Sequence, residues 1–399
     1  MKDIINDVIT IAASMDVEGL ASQLVGIPSY SHTPRQEEKV ADYIIAFFEK
    51  NGIEVRKQMV EEGRPNVIAR IPGNGGPAIM LNGHIDTVPP YDMVEPFSGE
   101  IVNGNLMGRG ACDMKGPIAA MMTAMAAIKL SGCTPGGDIY FAATVDEEEK
   151  GTGVEALVRD WPQVDAVIVG EGTDFDLCLG HKGLEWIKVQ IAGKKIHSGN
   201  AKAGINAITM AGRLIAYLAD DYGRVLDARI HPLLGQTTMN IGTISGGDQP
   251  STVADHCELT IDRRYIPEES REQVFAELLE ATKVMAQRYP GFSATISDYF
   301  EADGLLPHVP YCINEKRPIV QAIQKTYMKL FQTEPKMRGL SAWTDAGIIY
   351  DQTNTDCVIF GPGSLNLAHT AFESIPVSEL RKAVLLYTGI ALEFVGTVD

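Results

Sequence analysis

Five short stretches of this 399-residue chain each end an apolar run in a carboxylate or an imidazole: MLNGHID (80–86), GRGACDMKG (108–116), FAATVDEEE (141–149), VIVGEGT (167–173) and NLAHT (366–370). They supply His84, Asp113, Glu148, Glu171 and His369 as a candidate ligand set for two metal ions, with Asp86 and Glu147 beside them for acid–base chemistry or support. A buried acid is costly to desolvate unless positive charge stands next to it, and several acids converge here on apolar strands. Two dications are the simplest compensation. Carboxylates and imidazoles without thiolate suit zinc first, with cobalt and manganese as substitutes. Two such ions bridged by one aspartate lie roughly 3.5–4 Å apart, a spacing that serves hydrolysis.

Taken singly, each stretch has a plainer reading. His84 is then a hydrogen-bonded core residue, Asp113 the cap of a helix that follows it, Asp146–Glu149 a solvated charge run, Glu171 a bonder of its own glycine turn, and His369 a loop histidine. Their coincidence favours the metal set. His84 and Asp86 are two apart, so an extended segment points both to one side and the aspartate can stand behind the imidazole, fixing its tautomer. The strand before Asp146 is apolar on both faces, so its end lies over the core and at least one acid there must meet something positive. Adjacent Glu147 and Glu148 divide naturally into an acid–base group and a ligand.

These residues need elements to hold them. Residues 1–183 read as alternating helices and strands: a helix capped at Ser31-His32-Thr33-Pro34 and ending at Gly52, strands at 53–60, 66–71 and 77–82, an apolar helix at 114–130, a strand at 138–145, a short helix at 153–159, and strands at 165–170 and 176–181. Residues 184–300 change rhythm to strand, helix, strand, strand, helix, strand, the βαββαβ order of a ferredoxin-like α+β unit that folds on its own. Residues 301–399 resume the first pattern with a helix at 317–331, a strand at 355–360 and a terminal helix from Val377 to Val395. His369 lies beyond the insertion and the other candidate ligands before it, so the two flanks must form one domain. The expected class is α/β, a mixed-sheet catalytic domain interrupted by an inserted α+β domain.

Composition narrows the partners. A formal charge of −18 without a basic stripe argues against nucleic acid. The longest apolar stretch, Gly116 to Ile128, is broken by Thr123 and too short to span a bilayer, and the N-terminus lacks the apolar core of a signal peptide, so the expectation is a cytoplasmic protein without a membrane partner. Six scattered cysteines with no C-x-x-C pair fit reduced thiols; Cys112, beside a proposed ligand, is the one of interest.

The combination of GHID, GRGACDMKG, DEE, GEGT and a late AHT before PVSEL resembles the M20 metallopeptidases over essentially the whole chain. That family includes acetylornithine deacetylase, succinyl-diaminopimelate desuccinylase, aminoacylase and glutamate-releasing carboxypeptidases. The resemblance implies that Asp113 bridges two zinc ions, one also held by His84 and Glu171 and the other by Glu148 and His369. It makes Glu147 the general base, and it implies a cis peptide at Asp113-Met114. It makes the inserted unit a lid that carries the interface of a homodimer, with His197 reaching the neighbouring subunit's site to stabilise an oxyanion. Asn240 and Arg264 match residues that hold a substrate carboxylate, and the Gly361–Ser364 loop, Gly363 in particular, offers backbone amides. Departures from the family pattern at Pro117, His181, Ser251 and Trp343 fall in substrate-contacting regions and bear on specificity.

The expected function is a dinuclear zinc amidohydrolase that cleaves an N-acyl amino acid to a carboxylate and a free amine. A dipeptidase or carboxypeptidase of the same family is the alternative, with a short peptide as substrate. A non-catalytic relative that binds an amino acid is the rival of another class; it has no need for a full ligand set plus Glu147. A serine hydrolase ranks last, because no G-x-S-x-G elbow is present.

Overall fold

The structure is a computed structural model and describes residues 4–31, 33, 35–300 and 303–398. The chain forms two compact units. One comprises Met1–Gly180, Ile313–Arg338 and Thr344–Asp399; the other comprises His181–Cys312 and Gly339–Trp343.

In the first unit a mixed sheet is built from β1 (Glu54–Glu61), β2 (Arg64–Ile71), β3 (Gly76–His84), β5 (Gly137–Thr144), β6 (Ala166–Val169), β7 (Leu177–His181) and β8 (Asp356–Ile359), while β4 (Asn105–Met107) and β9 (Ser374–Pro376) pair separately. The strand order is β1-β2-β5-β3-β6-β8-β7. β5, β3, β6 and β8 run parallel, in registers that include His84 opposite Thr144 and Asn82 opposite Val169. Parallel strands buried on both faces read as continuous apolar runs, as VIV and FAAT do here, and all four end on one edge. That edge is where open α/β sheets bind ligands.

Helices α1 (Ile4–Ala13), α2 (Val17–Val25), α3 (Glu38–Lys50), α4 (Lys115–Ser131), α5 (Thr152–Arg159), α6 (Pro318–Phe331), α7 (Ala346–Thr353) and α8 (Val377–Val395) complete this unit. α4 is buried from Lys115 to Ile128 because it packs on β3 and on α1, α2 and α8 together, the surroundings that a helix apolar all round requires. Thr123 is accommodated there by donating to the Ala119 carbonyl at 2.7 Å. No single helix among the described residues is long and apolar enough to cross a membrane.

The expected cap of one helix is corrected, and the plainer reading of Asp113 as the cap of another does not hold. α3 begins at Glu38 without a side-chain cap, because the Glu37 carboxylate is drawn to Arg64 instead; His32 and Pro34 of the expected cap lie outside the described residues. α4 likewise has no side-chain cap, so Asp113 is free for other work.

The second unit carries a four-stranded antiparallel sheet in the order Thr238–Gly246, His256–Tyr265, Gly183–Ala192, Ser293–Asp298. Numbered along this unit, that is strands 2-3-1-4, the ferredoxin-like order. Helices Ala207–Tyr217 and Arg271–Arg288 cover one face, where Ile187, Val189, Leu214, Leu259, Leu278 and Met285 form the core.

Candidate metal centre

β3 ends in His84, and the turns after β5 and β6 carry Glu147, Glu148 and Glu171, so one sheet edge gathers four of the residues in question. Asp113 comes to them from the turn before α4, and His369 from the loop between β8 and β9. Asp113 sits between two imidazoles: its Oδ1 is 3.0 Å from His84 Nε2 and its Oδ2 is 3.2 Å from His369 Nε2. Glu148 Oε2 stands 3.0 Å from His369 Nε2, and Glu171 Oε1 lies 3.7 Å from His84 Nε2. Ligand atoms of His84, Asp113 and Glu148 all fall within 4.8 Å of one another. The five residues therefore divide into two groups that share Asp113.

Backbone strain accompanies this arrangement. His369 (φ 62°) and Asp146 (φ 67°), which introduces Glu147 and Glu148, both lie in the left-handed region that costs a non-glycine residue about 1 kcal/mol or more. The Asp113-Met114 peptide is cis.

The electrostatics show what the cage lacks. Burial, joined by the charge of Asp113, pushes Glu171 up to about 8. Burial also raises Glu147 and Glu148. Burial resists a proton on His84, but hydrogen bonds to Asp113 and Asp86 and the charge of Glu171 override it and raise the imidazole. His369 is raised to about 10 by its bonds to Asp113 and Glu148. Burial opposes ionisation of Asp113 too, yet the two imidazoles hold it below the usual carboxylate range. In the metal-free protein the imidazoles hold protons to offset crowded acids. Cations would meet the same demand while leaving the nitrogens as ligands, so the donor set fits a pair of borderline metal ions.

Asp86 does more than stand behind His84. The His84 Nδ1 is closer to the Asp86 main-chain oxygen, at 3.0 Å, than to its Oδ1, at 3.5 Å. The Asp86 carboxylate instead accepts from the backbone N–H groups of Glu147 and Glu148 at 3.2 and 3.1 Å. It thereby ties the end of β3 to the turn after β5. Cys112 Sγ donates to the Ser364 carbonyl at 3.3 Å, and burial raises its thiol, so it does not offer a thiolate. None of the six cysteines forms a disulfide.

The other expected residues have clear placements. Gly363 has its N–H committed to Glu379 Oε2 at 2.8 Å and its carbonyl to the Asp174 N–H at 2.7 Å, so the expectation that its amide is offered to substrate is corrected. Its conformation (φ 80°) and the 2.7 Å that would separate an added Cβ from Cys112 Sγ account for a glycine there. In the second unit His197 is exposed and its Nδ1 accepts from the Gly199 N–H at 3.1 Å. A neutral ring so engaged carries its hydrogen on Nε2, leaving that nitrogen as a donor. Asn240 is exposed and opposite Asp262, while Arg264 spends Nε and Nη2 on the Asp262 carboxylate at 2.9 and 3.0 Å.

Sequence reasoning missed several supports. Arg64 pairs bidentately with buried Glu37 at 2.8 and 2.6 Å and reaches Asp146 at 2.9 Å, bracing the turn that carries Glu147. Asp345, buried, accepts from Thr144 Oγ1 at 2.7 Å at the end of β5. In its sequence neighbourhood, SAWTDAG, the tryptophan is the one departure from the family pattern, and it does not point to the aspartate. Glu373, four residues after His369, is the third, and spacing from a candidate ligand is its only signal.

A sequence model of peptidase family M20/M25/M40 matches residues 80–393. The chain is 27% identical to N-formyl-4-amino-5-aminomethyl-2-methylpyrimidine deformylase of Bacillus subtilis (strain 168), over 94% of this chain and 93% of that one. It is 30% identical to acetylornithine deacetylase of Photorhabdus laumondii, over 90% and 92%. Among solved structures it is similar to aminopeptidase PepT of Bacillus cereus (TM-score 0.78, 24% identity, 95% of this chain and 98% of that one). It is also similar to the YXEP protein of Bacillus subtilis, described as a dinuclear metal-binding peptidase (TM-score 0.73, 18% identity, 96% and 98%). With its sheet-edge acids and imidazoles gathered around Asp113, the chain belongs to peptidase family M20/M25/M40, metal-dependent hydrolases of amide and peptide bonds.

Proposed function

We propose that this protein is a dinuclear zinc amidohydrolase that removes a small acyl group from the nitrogen of an amino acid or related amine. The observation that carries the reading is Asp113, whose two oxygens each face one imidazole, with Glu171 beside the first and Glu148 beside the second. The deformylase and deacetylase among the relatives support a one- or two-carbon acyl group.

His84, Glu171, Glu148 and His369 would hold the two zinc ions with Asp113 between them, and the ions would supply acidification of water and polarisation of the amide carbonyl. Glu147 accepts the proton of the attacking water as the new C–O bond forms. It then delivers that proton to the leaving nitrogen as the C–N bond breaks, giving a carboxylate and an amine. The buried position that raises Glu147 suits it to hold the proton between those two moments. His197, with Nε2 left to donate, serves the developing oxyanion from a second copy of the chain in a homodimer.

Glu147→Gln tests this reading. It should keep two zinc ions per chain while lowering kcat by about 10²–10⁴ on formyl, acetyl and succinyl amino acids. Turnover within a few-fold of wild type on a responsive substrate would remove Glu147 from the role of base. The same panel extended to dipeptides, with zinc, cobalt and manganese, decides between deacylase and dipeptidase.

A further inference from the structure

Glu373 touches none of the proposed ligand side chains, yet it is fully buried and makes four short polar contacts. Its Oε1 accepts from the backbone N–H groups of Gly110, Cys112 and Asp113, each at 3.0 Å. Its Oε2 takes Arg109 Nη1 at 2.5 Å. Arg109 is itself 1% exposed, and its guanidinium lies 5.8 Å from the Tyr91 ring. The Gly108 N–H donates to the Glu373 carbonyl at 3.3 Å, and the β4–β9 pairing sets Ser374 opposite Met107.

One side chain thus fastens two pieces of main chain that sequence keeps far apart. The first is the turn that presents Asp113, gripped through Asp113's own amide. The second is the loop that presents His369, four residues upstream of Glu373. Those two ligands meet at 3.2 Å with His369 in a left-handed conformation, so their separation needs an external restraint.

A plain structural ion pair is a weaker account. A buried Arg–Glu pair can usually be replaced by well-packed apolar residues at little cost to stability. An apolar side chain at 373 would leave three buried N–H groups in the Asp113 turn without an acceptor. The carboxylate is in effect an internal anion in a nest of amides, with Arg109 balancing its charge.

We infer that Glu373, steadied by Arg109, is a positioning residue that sets Asp113 and His369 at the separation two cations require, so that cation affinity depends on a carboxylate that is not itself a ligand. The inference rests on the dinuclear reading proposed above. Supports one shell removed from a metal typically govern 10- to 100-fold in affinity.

The test uses Glu373→Gln and Glu373→Asp. Glutamine keeps the shape but turns an amide donor toward Arg109; aspartate keeps the charge but falls short of the three amides. Glu185→Gln is the control, since Glu185 is a buried, Arg271-paired acid of the second unit. Zinc affinity is measured by chelator competition on the metal-free proteins, alongside their Tm and the absorption bands of the cobalt-loaded forms. Both Glu373 variants should bind zinc 10- to 100-fold more weakly and show shifted cobalt bands. Their kcat should fall with KM nearly unchanged, and metal-free Glu373→Asp should lose no more Tm than metal-free Glu185→Gln. Glu185→Gln should lower Tm without changing zinc affinity or the cobalt bands. The inference is overturned if both Glu373 variants bind zinc as wild type does, or if Glu185→Gln weakens zinc binding as much for the same loss of Tm. Wild type that binds no zinc would overturn the dinuclear reading, and this inference with it.

Discussion

Stripping the cations should make stability fall as pH rises, and Glu171 sets the size of the effect. It is 4% exposed, and burial together with Asp113 lifts its folded pKa from an ordinary 4.5 to about 8. A carboxyl raised in the folded state contributes stability that is fully present below about pH 4.5 and is lost as pH rises through about 8. At 1.36 kcal/mol per pKa unit, Glu171 alone accounts for about 5 kcal/mol across that window, as an order of magnitude. His369, raised to about 10, acts in the same direction at higher pH, but it is half exposed and adds less than its shift suggests. Asp113, held low, acts in the opposite direction, and only on acidification below the usual carboxylate range. The assay is thermal unfolding of chelator-treated protein from pH 5 to 9, with and without added zinc. Metal-free wild type should lose on the order of 10 °C in Tm. Zinc should flatten the profile, because a cation then occupies the place of the protons. Metal-free Glu171→Gln should be flatter by close to one proton between pH 4.5 and 8, which separates this residue from Asp345 and Glu37, both lifted to about 7 by burial. Equal slopes for wild type and Glu171→Gln, or a slope unchanged by zinc, would refute the reasoning.

Two further substitutions probe the supports. Arg64→Met should destabilise the protein by about 3–5 kcal/mol in urea unfolding, since it strands the Glu37 and Asp146 carboxylates, 0% and 2% exposed, without their cation. Adding Glu37→Gln should restore part of that loss, and strict additivity of the two changes would contradict the coupling. Gly363→Ala should cost roughly 1–3 kcal/mol through its left-handed backbone and the contact with Cys112 Sγ. Cys112→Ala in the same chain should relieve the contact but not the backbone strain, so full recovery would place the whole cost on sterics.

How much of this was legible depends on the distance over which each feature is decided. The convergence of the candidate ligand stretches could be read because each acid or imidazole ends an apolar run, and parallel strands bring such ends to one edge, as with His84 opposite Thr144. The inserted unit could be read because alternation and helical periodicity are local signals, and its ferredoxin-like strand order follows from a βαββαβ sequence. Partner choice could not be read. Glu37 gave up a capping role for Arg64, 27 residues on, and Asp86 reached past His84 to amides 61 and 62 residues away. Glu373 finds its amides some 260 residues back, and no pattern around position 373 announces that. The Gly363 amide is held by Glu379, 16 residues further, a partner that nothing in the local sequence indicates. Helices α1 and α2 have no counterpart among the expected elements, the first of which is the helix capped at Ser31.

Anomalous diffraction from zinc-loaded crystals tests the central claim most directly. Two peaks roughly 3.5–4 Å apart should flank the Asp113 carboxylate, one against His84 and Glu171 and the other against Glu148 and His369, each about 2 Å from its ligand atoms. A single peak, or peaks that leave Asp113 uncoordinated, would contradict it.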